Sequence, residues 1–283
     1  MSSIEYQMTE IYCFIDDYLK AHPARARAQW RRSPNCQPRF TDAEVLTIAL
    51  LPHAFGCATL KKAYQLVRDN WRTAFPHLSS YQQWMQRLHA LGDVVGQLVR
   101  SVALKVSEAD NFYLLDSKPV PVCHPIRHGR VRLLREDGAY FGKTSKGWFF
   151  GFKLHLLIAE RGHILGALLS PANTDDRDPA LALCWATEGG AVLADLAYRG
   201  DEFTTTMDEE AEVLVLTPAD GGARRSARRA LLSSVRERVE TTLSQLWTRF
   251  VDRVFSRSWT GLWTTIKLKM LHYNLCHAGI LSV

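Results

Sequence analysis

Three carboxylates in this sequence are placed where they could hold a metal ion. Asp195 follows the apolar run 191–194, and Asp116 ends the apolar stretch that begins at Phe112. Glu240 lies on an apolar-striped segment further along the chain. A lone charge beside an apolar run is costly unless it is paired or binds a cation. Because hard cations prefer oxygen ligands, the three acids together predict a site for divalent metal ions.

The segments around the two aspartates predict a mixed β-sheet. Strands are expected at 111–115, 148–158, 163–170, 191–194 and 213–216, because each is an apolar run or alternates with period two. Asp178 is expected to cap a helix between the third and fourth strands, with Pro179 at its first position. Such a crossover is right-handed and pairs strands in parallel. If it carries the fourth strand beside the first, Asp116 and Asp195 end at the same edge, where open α/β sheets bind ligands.

The third acid is expected on a helix over 233–250. Glu240 flanks the apolar face of this segment, and Arg236 precedes it by one turn. Glu237 is the competing candidate, but it lies nearer the solvent side. A second apolar-striped helix is expected over 259–278, where it would cover the sheet.

The first 107 residues show only helical patterns. Helices are expected at 4–20, 41–51, 59–70, 80–91 and 93–106. Thr41 and Glu44 have the spacing of a capping box, and the helix that they start is expected to stop before Pro52. Two consecutive short helices could present a recognition helix to the major groove of DNA. An ordinary helical bundle has the same pattern, so both alternatives stay open.

Basic residues are concentrated in two stretches of a chain whose formal net charge is +6. One stretch, 21–39, contains five arginines and no acid, and the other, 223–238, contains six arginines and one acid. The arginine guanidinium pairs bidentately with phosphate, which favours nucleic-acid contacts over solvated helix faces. The residues expected to contact DNA are Arg31, Arg32, Arg224, Arg225 and Arg228.

Size and composition indicate an intracellular, two-domain globular protein. The chain has 283 residues, of which 47% are hydrophobic and 23% charged. It shows neither a run of transmembrane length nor a signal peptide, so the expected location is the cytoplasm, in association with the nucleoid, and no membrane partner is expected. The expected division is a helical, DNA-binding domain at 1–107 and an α/β domain at 108–283.

Four motifs resemble those of the DDE transposases of bacterial insertion sequences, and of insertion-sequence family 982 in particular. The motifs are Leu115-Asp-Ser-Lys-Pro-Val-Pro-Val-Cys123, Gly151-Phe-Lys-Leu-His155, Leu193-Ala-Asp-Leu-Ala-Tyr-Arg-Gly200 and Arg236-Glu-Arg-Val-Glu-Thr-Thr-Leu243. The resemblance covers the chain from about residue 40 onwards. It implies an RNase H-like catalytic domain with Asp116, Asp195 and Glu240 as ligands of two Mg²⁺ or Mn²⁺ ions. Ser233 and Trp247 stand where related insertion sequences have tyrosine and lysine, whereas Arg236 matches their arginine.

The activity implied by this resemblance is DNA transposition. A transposase cuts the terminal inverted repeats of its element and joins them to target DNA, so the expected partners are double-stranded DNA and further copies of the chain, as a dimer or larger assembly. Further candidates for phosphate contacts or for orienting the acids are Lys118, Lys143, Lys153, His155, Tyr198 and Arg236. The alternatives are an RNase H-like nuclease or resolvase that cuts without joining, an inactive DNA-binding remnant, and a hydrolase of small phosphoesters. The last would leave the arginine stretches without a role.

Overall fold

The computed structural model describes residues 3–23, 38–57, 59–106, 112–130, 132–145, 147–185, 187, 189–217, 241, 244 and 256–281. The first helices are α1 (Ser3–Ala21), α2 (Asp42–Ala54), α3 (Leu60–Asn70), α4 (Tyr81–Ala90) and α5 (Gly92–Val106). The strands are β1 (Phe112–Cys123), β2 (Tyr140–Thr144), β3 (Gly147–Ala159), β4 (Ile164–Pro171), β5 (Gly190–Ala194) and β6 (Val213–Leu216). The later helices are α6 (Asp178–Cys184), α7 (Asp201–Ala211) and α8 (Trp259–His277), and short 3-10 turns lie at Pro125–Arg127 and Leu196–Tyr198.

The described residues divide into two compact units. The first unit contains the described residues up to Val99, Ser256, and the described residues from Thr260 onwards. The second unit contains the described residues of 100–250 and Arg257–Trp259. Helix α8, which we expected to cover the sheet, therefore groups with the N-terminal helices. Asn274 of α8 donates a hydrogen bond from Nδ2 to the backbone oxygen of Val99 at 3.0 Å. This contact joins elements that are far apart in the chain, so no local sequence pattern reports it.

Helix α2 begins with the predicted capping box but ends later than predicted. The Thr41 hydroxyl accepts a hydrogen bond from the Glu44 amide at 3.2 Å, and the Glu44 carboxylate accepts one from the Thr41 amide at 2.5 Å. The predicted stop before Pro52 is wrong, because Pro52 lies inside the helix, which runs to Ala54. Proline removes only the hydrogen bond to the Ile48 carbonyl, and the helix continues for less than one turn beyond it.

Helix α4 is fixed to α2 through one buried tryptophan. Ser80 and Gln83 form a second capping box at the start of α4. Trp84 is fully buried and donates from Nε1 to the backbone oxygen of Val45 at 3.1 Å. The Tyr64 ring packs on Trp84, with their centroids 5.3 Å apart. These contacts show a packed helical core in the first unit.

Six described strands form one mixed sheet in the second unit. Their order is β2-β3-β1-β5-β6, and β4 pairs with β3. Strands β1 and β3 are antiparallel, whereas β1–β5 and β5–β6 are parallel. Strand β3 pairs with β2 over Gly147–Gly151 and with β4 over Phe152–Ile158. The predicted class is confirmed, an α/β fold with a mixed RNase H-like sheet and flanking helices, and β2 is a sixth strand that we did not expect.

Strand β1 continues past Asp116, so the prediction that Asp116 ends this strand is wrong. The strand runs to Cys123 and stays paired with β3, although its pairing with β5 stops at Leu115. Pro119 and Pro121 lie in the continuation. Proline lacks an N–H group and is confined to strand edges. It is accommodated here because, among the described strands, only β3 pairs with this part of β1.

Helices α6 and α7 make the two crossovers of the parallel strands. Asp178 is the first residue of α6 rather than its cap, because the cap position is taken by Arg177. Helix α7 was not expected, since its sequence is mostly threonine and acid and only Met207 and Ala211 bury apolar side chains. The main core lies between the sheet and these helices, and its members include Leu115, Leu157, Leu183, Val192, Ala194, Tyr198 and Met207.

Several predicted features fall outside the described residues. They are the helix over 233–250, apart from Thr241 and Ser244, which are helical, and the candidates Arg31, Arg32, Arg224, Arg225, Arg228, Arg236 and Glu240. Within the part of the chain that the structure describes, no helix combines the length and apolarity needed to cross a bilayer.

Candidate active site at the edge of the sheet

Two of the three predicted acids lie side by side where β1 and β5 separate. Leu115 pairs with Ala194 in the parallel ladder, and the next residues are Asp116 and Asp195. Leu115 and Ala194 both point into the main core. Since side chains alternate along extended backbone, the two aspartates share the opposite face of the sheet.

The Asp116 carboxylate is partly buried and already has two partners. One oxygen accepts a hydrogen bond from the Ser117 amide at 2.7 Å, and the other lies 3.4 Å from the Lys118 ammonium group. Burial raises the pKa of Asp116 above its usual value, and the nearby Asp195 charge raises it further. Lys118 and the Ser117 amide act in the opposite direction. Asp116 is therefore a carboxylate whose charge requires a neighbouring cation.

Asp195 is held by the turn that follows it. Its carboxylate accepts a hydrogen bond from the Ala197 amide at 2.8 Å and thereby caps the 3-10 turn Leu196–Tyr198. The Tyr198 side chain at the end of this turn is buried, with 1% exposure, and anchors the turn in the main core. The Asp195 carboxylate itself is exposed to solvent. Because the buried Tyr198 fixes one end of the turn, Asp195 at the exposed end is held at a defined position.

The Tyr198 hydroxyl faces a group of acids from inside the core. Burial raises the pKa of Tyr198, and the charges of Asp176, Asp116 and Asp195 raise it further. The Ser117 hydroxyl is close enough to act in the opposite direction, but its geometry falls short of a hydrogen bond, and the buried Tyr198 oxygen has no hydrogen-bond partner among the described residues. Burial favours a role for Tyr198 in orienting the acids over a direct phosphate contact.

Lys153 and His155 belong to a polar cluster on the core side of the sheet. Lys153 donates to the Asp176 carboxylate at 2.9 Å and to the Thr174 carbonyl at 2.7 Å. His155 is fully buried, with Nε2 2.8 Å from the Ser170 hydroxyl and Nδ1 3.9 Å from Asp176. Burial lowers the pKa of His155 to about 4. A neutral, buried imidazole is suited to structural support rather than to contact with phosphate.

Asp176 is the member of this cluster that sequence reasoning missed. It lies in the loop after β4, within Asn173-Thr-Asp-Asp176, which reads as an ordinary polar connection. Its partners Lys153 and His155 are more than twenty residues away in the sequence. The only sequence signal for Asp176 was the presence of a lysine and a histidine on the core face of β3, because two such buried side chains require an acceptor.

Lys143 lies away from the other candidates. It is exposed on β2, where its ammonium group stands 5.8 Å from the centre of the Trp148 ring. Its register partner Trp148 is eight residues before Leu156, which pairs with Asp116. The structure therefore brings together Asp116, Lys118, Asp195 and Tyr198, places Lys153 and His155 beneath them, and leaves Lys143 at the far end of β3.

The donor chemistry at the strand edge suits a divalent cation. Two adjacent carboxylates repel one another, and a bound cation would remove both this repulsion and the cost of burying Asp116. The described residues contain no group of three histidine, cysteine or acidic side chains able to hold a metal ion. Asp116 and Asp195 offer two carboxylates to such a cation, and a complete site would need a third ligand from elsewhere in the chain.

Comparison with known proteins gives one match. The family described as transposase DDE domain matches residues 106–250, which is just over half of the chain and includes Asp116, Asp195 and Glu240. Neither the curated proteins nor the solved structures contain a match. The matched segment begins at the end of α5 and covers the sheet with its crossover helices. Together with the strand order and the paired aspartates, it shows that the chain belongs to the transposase DDE domain family.

Proposed function

We propose that this transposase cleaves DNA at the ends of an insertion sequence and joins them to target DNA by metal-dependent, in-line phosphoryl transfer. The observation that carries the proposal is the position of Asp116 and Asp195, each directly after the Leu115–Ala194 pair at which β1 and β5 separate. Glu240 would supply the third ligand. When bound, two Mg²⁺ or Mn²⁺ ions supply activation of a water or a DNA 3′-hydroxyl and stabilisation of the leaving 3′-oxygen.

The described residues would divide the remaining tasks. Asp116 and Asp195 hold their carboxylates on one face of the sheet, where a phosphodiester can approach. Lys118 balances the charge of Asp116 and stands within reach of a substrate phosphate. Tyr198 fixes the turn that carries Asp195, and Arg236 would contact DNA beside Glu240. No residue acts as a covalent nucleophile in this scheme.

Residues outside the acidic centre would bind the rest of the DNA. We propose that the domain at 1–107 binds the terminal inverted repeats and that Arg31, Arg32, Arg224, Arg225 and Arg228 contact phosphates. Transposition requires two element ends in one complex, so we propose a dimer or larger assembly on DNA. We place the protein in the cytoplasm at the nucleoid and relate it to insertion-sequence family 982 on the motifs at Asp116 and Asp195.

The deciding experiment is cleavage of a labelled duplex that carries the element's terminal repeat. Wild type should nick the end with Mg²⁺ or Mn²⁺ and then join it to a second duplex. Glu240→Gln should bind the duplex without cutting it, whereas the matched variant Glu237→Gln should cut normally. Cleavage by Glu240→Gln at the wild-type rate would transfer the third-ligand role to another acid.

The same assay separates the rival functions. A nuclease or resolvase would give cut products and no joined products. An inactive DNA-binding remnant would bind the repeat without cutting it, with or without metal. Cleavage of a small phosphodiester in preference to the duplex would favour the hydrolase alternative.

A further inference from the structure

We propose that an arginine-rich loop and the β2–β3 hairpin form a binding surface for unpaired DNA. We define this hairpin surface as the described residues of the loop 125–135 together with Lys143 and Trp148. It rests on the proposed function in that DNA is the ligand, but it concerns a part of the chain distant from the acids. Neither the charged stretches considered above nor the motif resemblance points to this loop.

An exposed tryptophan marks the hairpin. The Trp148 side chain is 62% exposed, on a strand whose next residues, Phe149 and Phe150, are buried. Lys143 places its ammonium group 5.8 Å from the centre of the Trp148 ring. This contact gives the indole a positively charged neighbour while its surface stays open to solvent. Aromatic rings presented beside cations are how proteins stack the bases of single-stranded nucleic acids.

The loop supplies further positive charge, and the two acids of the same connection, Glu136 and Asp137, follow it directly. Arg127, Arg130 and Arg132 are exposed, and none of them has an ion-pair partner among the described residues. Arg135 instead donates to the backbone oxygen of His128 and so braces the loop. Unpaired arginines present planar guanidinium groups that match phosphate oxygens. The loop is therefore complementary to a polyanionic strand.

The loop is fixed to the hairpin, so that its arginines and Trp148 form one surface. The His128 ring meets the Phe141 ring edge-on at 4.6 Å and lies 5.9 Å from Phe150. Leu134 of the same loop is buried. The β2–β3 register pairs Phe141 with Phe150 and Lys143 with Trp148, so the face that His128 covers continues directly into the exposed Trp148.

The hairpin surface lies on the same face of the sheet as the acids. Trp148 and Leu156 are eight residues apart on β3 and point to the same side, and Leu156 pairs with Asp116. At about 3.3 Å per residue, the separation along the strand is about 26 Å. This distance corresponds to about eight nucleotides at the 3.4 Å spacing of one DNA strand. The side chains between them on this face, Phe150, Phe152 and Leu154, are buried, so this distance is a separation along the strand and not an open path for DNA.

The test measures DNA binding by the full chain, without metal, through the fluorescence anisotropy of the labelled DNA. The ligands are a labelled oligothymidylate and a duplex of the same length, both in excess EDTA so that no cleavage occurs. Trp148→Ala should weaken binding of the oligothymidylate roughly tenfold, because one stacked base is lost, and should change duplex binding little. The matched variant Trp185→Ala removes an equally exposed tryptophan of the same unit and should bind like wild type.

The arginines are tested through the salt dependence of the same binding. Arg127→Ala/Arg130→Ala/Arg132→Ala should reduce the slope of log K against log salt by about two, since each strand phosphate contributes about 0.7. The matched triple variant Arg161→Ala/Arg177→Ala/Arg257→Ala removes the same charge from residues that have no proposed contact with DNA and should keep the wild-type slope.

Three results would overturn the proposal. The first is that Trp148→Ala binds the oligothymidylate as tightly as wild type, and the second is that Trp185→Ala loses as much affinity as Trp148→Ala. The third is that Trp148→Ala loses as much affinity for the duplex as for the oligothymidylate, which would indicate a duplex-binding surface. The outcome is independent of the proposed cleavage. An inactive protein can still bind oligothymidylate through Trp148, and an active transposase can lack this surface.

Discussion

Leu115 of β1 and Ala194 of β5 form the last pair of a parallel ladder, and each is followed by an aspartate. The two strands separate after this pair, so the carboxylates of Asp116 and Asp195 stand next to one another without an intervening strand. Their proximity raises the pKa of Asp116, in addition to the larger effect of burial. Without a bound cation, the repulsion between the two carboxylates costs free energy. A bound cation would remove this repulsion and could take both carboxylates as ligands.

Replacement of Asp116 should separate these two effects. Asp116→Asn removes a partly buried charge next to Asp195, so without metal we expect the variant to be as stable as wild type or more stable. We also expect it to lose the rise in melting temperature that Mn²⁺ gives the wild type, because binding to the native state is what produces that rise. Thermal unfolding with and without Mn²⁺ measures both effects.

The control for this variant is Asp201→Asn, on the exposed first turn of α7. It should keep the wild-type response to Mn²⁺. An unchanged Mn²⁺ response in Asp116→Asn would show that the metal binds elsewhere.

Lys118 should compete with metal for Asp116. Its ammonium group lies 3.4 Å from one Asp116 oxygen, and both side chains are partly exposed. We expect Lys118→Met to lower the free energy of unfolding without metal by about 0.5 kcal/mol, as for other exposed pairs. Mn²⁺ should bind the variant more tightly, because the carboxylate is free. Titration calorimetry with Lys143→Met as the control checks this, and weaker Mn²⁺ binding would show that Lys118 supports the site instead.

Sequence patterns predicted the aspartate pair because two general rules acted together. Apolar runs located the strands before Asp116 and Asp195, and the right-handed crossover placed the strands in parallel. The capping boxes at Thr41 and Ser80 were predictable for a similar reason, since their hydrogen bonds join residues only three positions apart. Features determined by neighbouring residues or by chain topology could therefore be read from the sequence.

Features that depend on distant partners could not be read in this way. Strand β1 was expected to end at Asp116, but it continues through Pro119 and Pro121, which are tolerated because β3 is the only described strand that pairs with β1 there. Asp176 looked like a loop residue until β3 brought Lys153 to it. The grouping of α8 with the N-terminal helices depends on contacts such as that of Asn274 with Val99, across 175 residues.

Gly151 should tolerate no side chain. A Cβ atom at this position would lie 2.2 Å from the backbone oxygen of Val120 and 2.9 Å from the Val122 amide nitrogen, and neither backbone atom can move without opening the β1–β3 ladder. Gly151→Ala should therefore lower the free energy of unfolding by more than about 2 kcal/mol. The matched change Gly129→Ala meets no atom within 4 Å and should be nearly neutral. Chemical denaturation of both variants tests this, and equal stability would contradict it.

Arg87 should be a major contributor to the stability of the helical unit. Its guanidinium group contacts the Asp42 carboxylate at 2.6 Å and the Phe40 carbonyl at 2.5 Å, and the ion pair is largely buried. Arg87→Met would remove the arginine partner of the buried Asp42 carboxylate, so we expect a loss of about 3 kcal/mol in the free energy of unfolding. Lys20→Met breaks the exposed pair with Asp16 and should change the stability much less than Arg87→Met does. Similar losses in the two variants would show that burial of the Arg87 pair has no effect on its strength.

Protonation of His155 should destabilise the second unit in acid. Burial lowers the pKa of His155 from 6.5 to about 4, so between these pH values the unfolded chain binds a proton that the folded chain does not. The contribution to stability is complete above pH 6.5 and is lost as the pH falls towards 4. A shift of this size corresponds to about 3 kcal/mol.

His155→Gln removes this titration. The quantity to compare between the variant and wild type is the slope of the free energy of unfolding against pH. We expect the slope for the variant between pH 6.5 and 4 to be smaller than that of wild type, whatever the absolute stability of the variant. His272 is partly buried in the first unit and burial lowers its pKa also to about 4, so some acid sensitivity should remain. The exposed His124→Gln variant controls for the substitution. If His155→Gln keeps the full wild-type slope, then His155 is already protonated in the folded protein and its ion pair with Asp176 is formed.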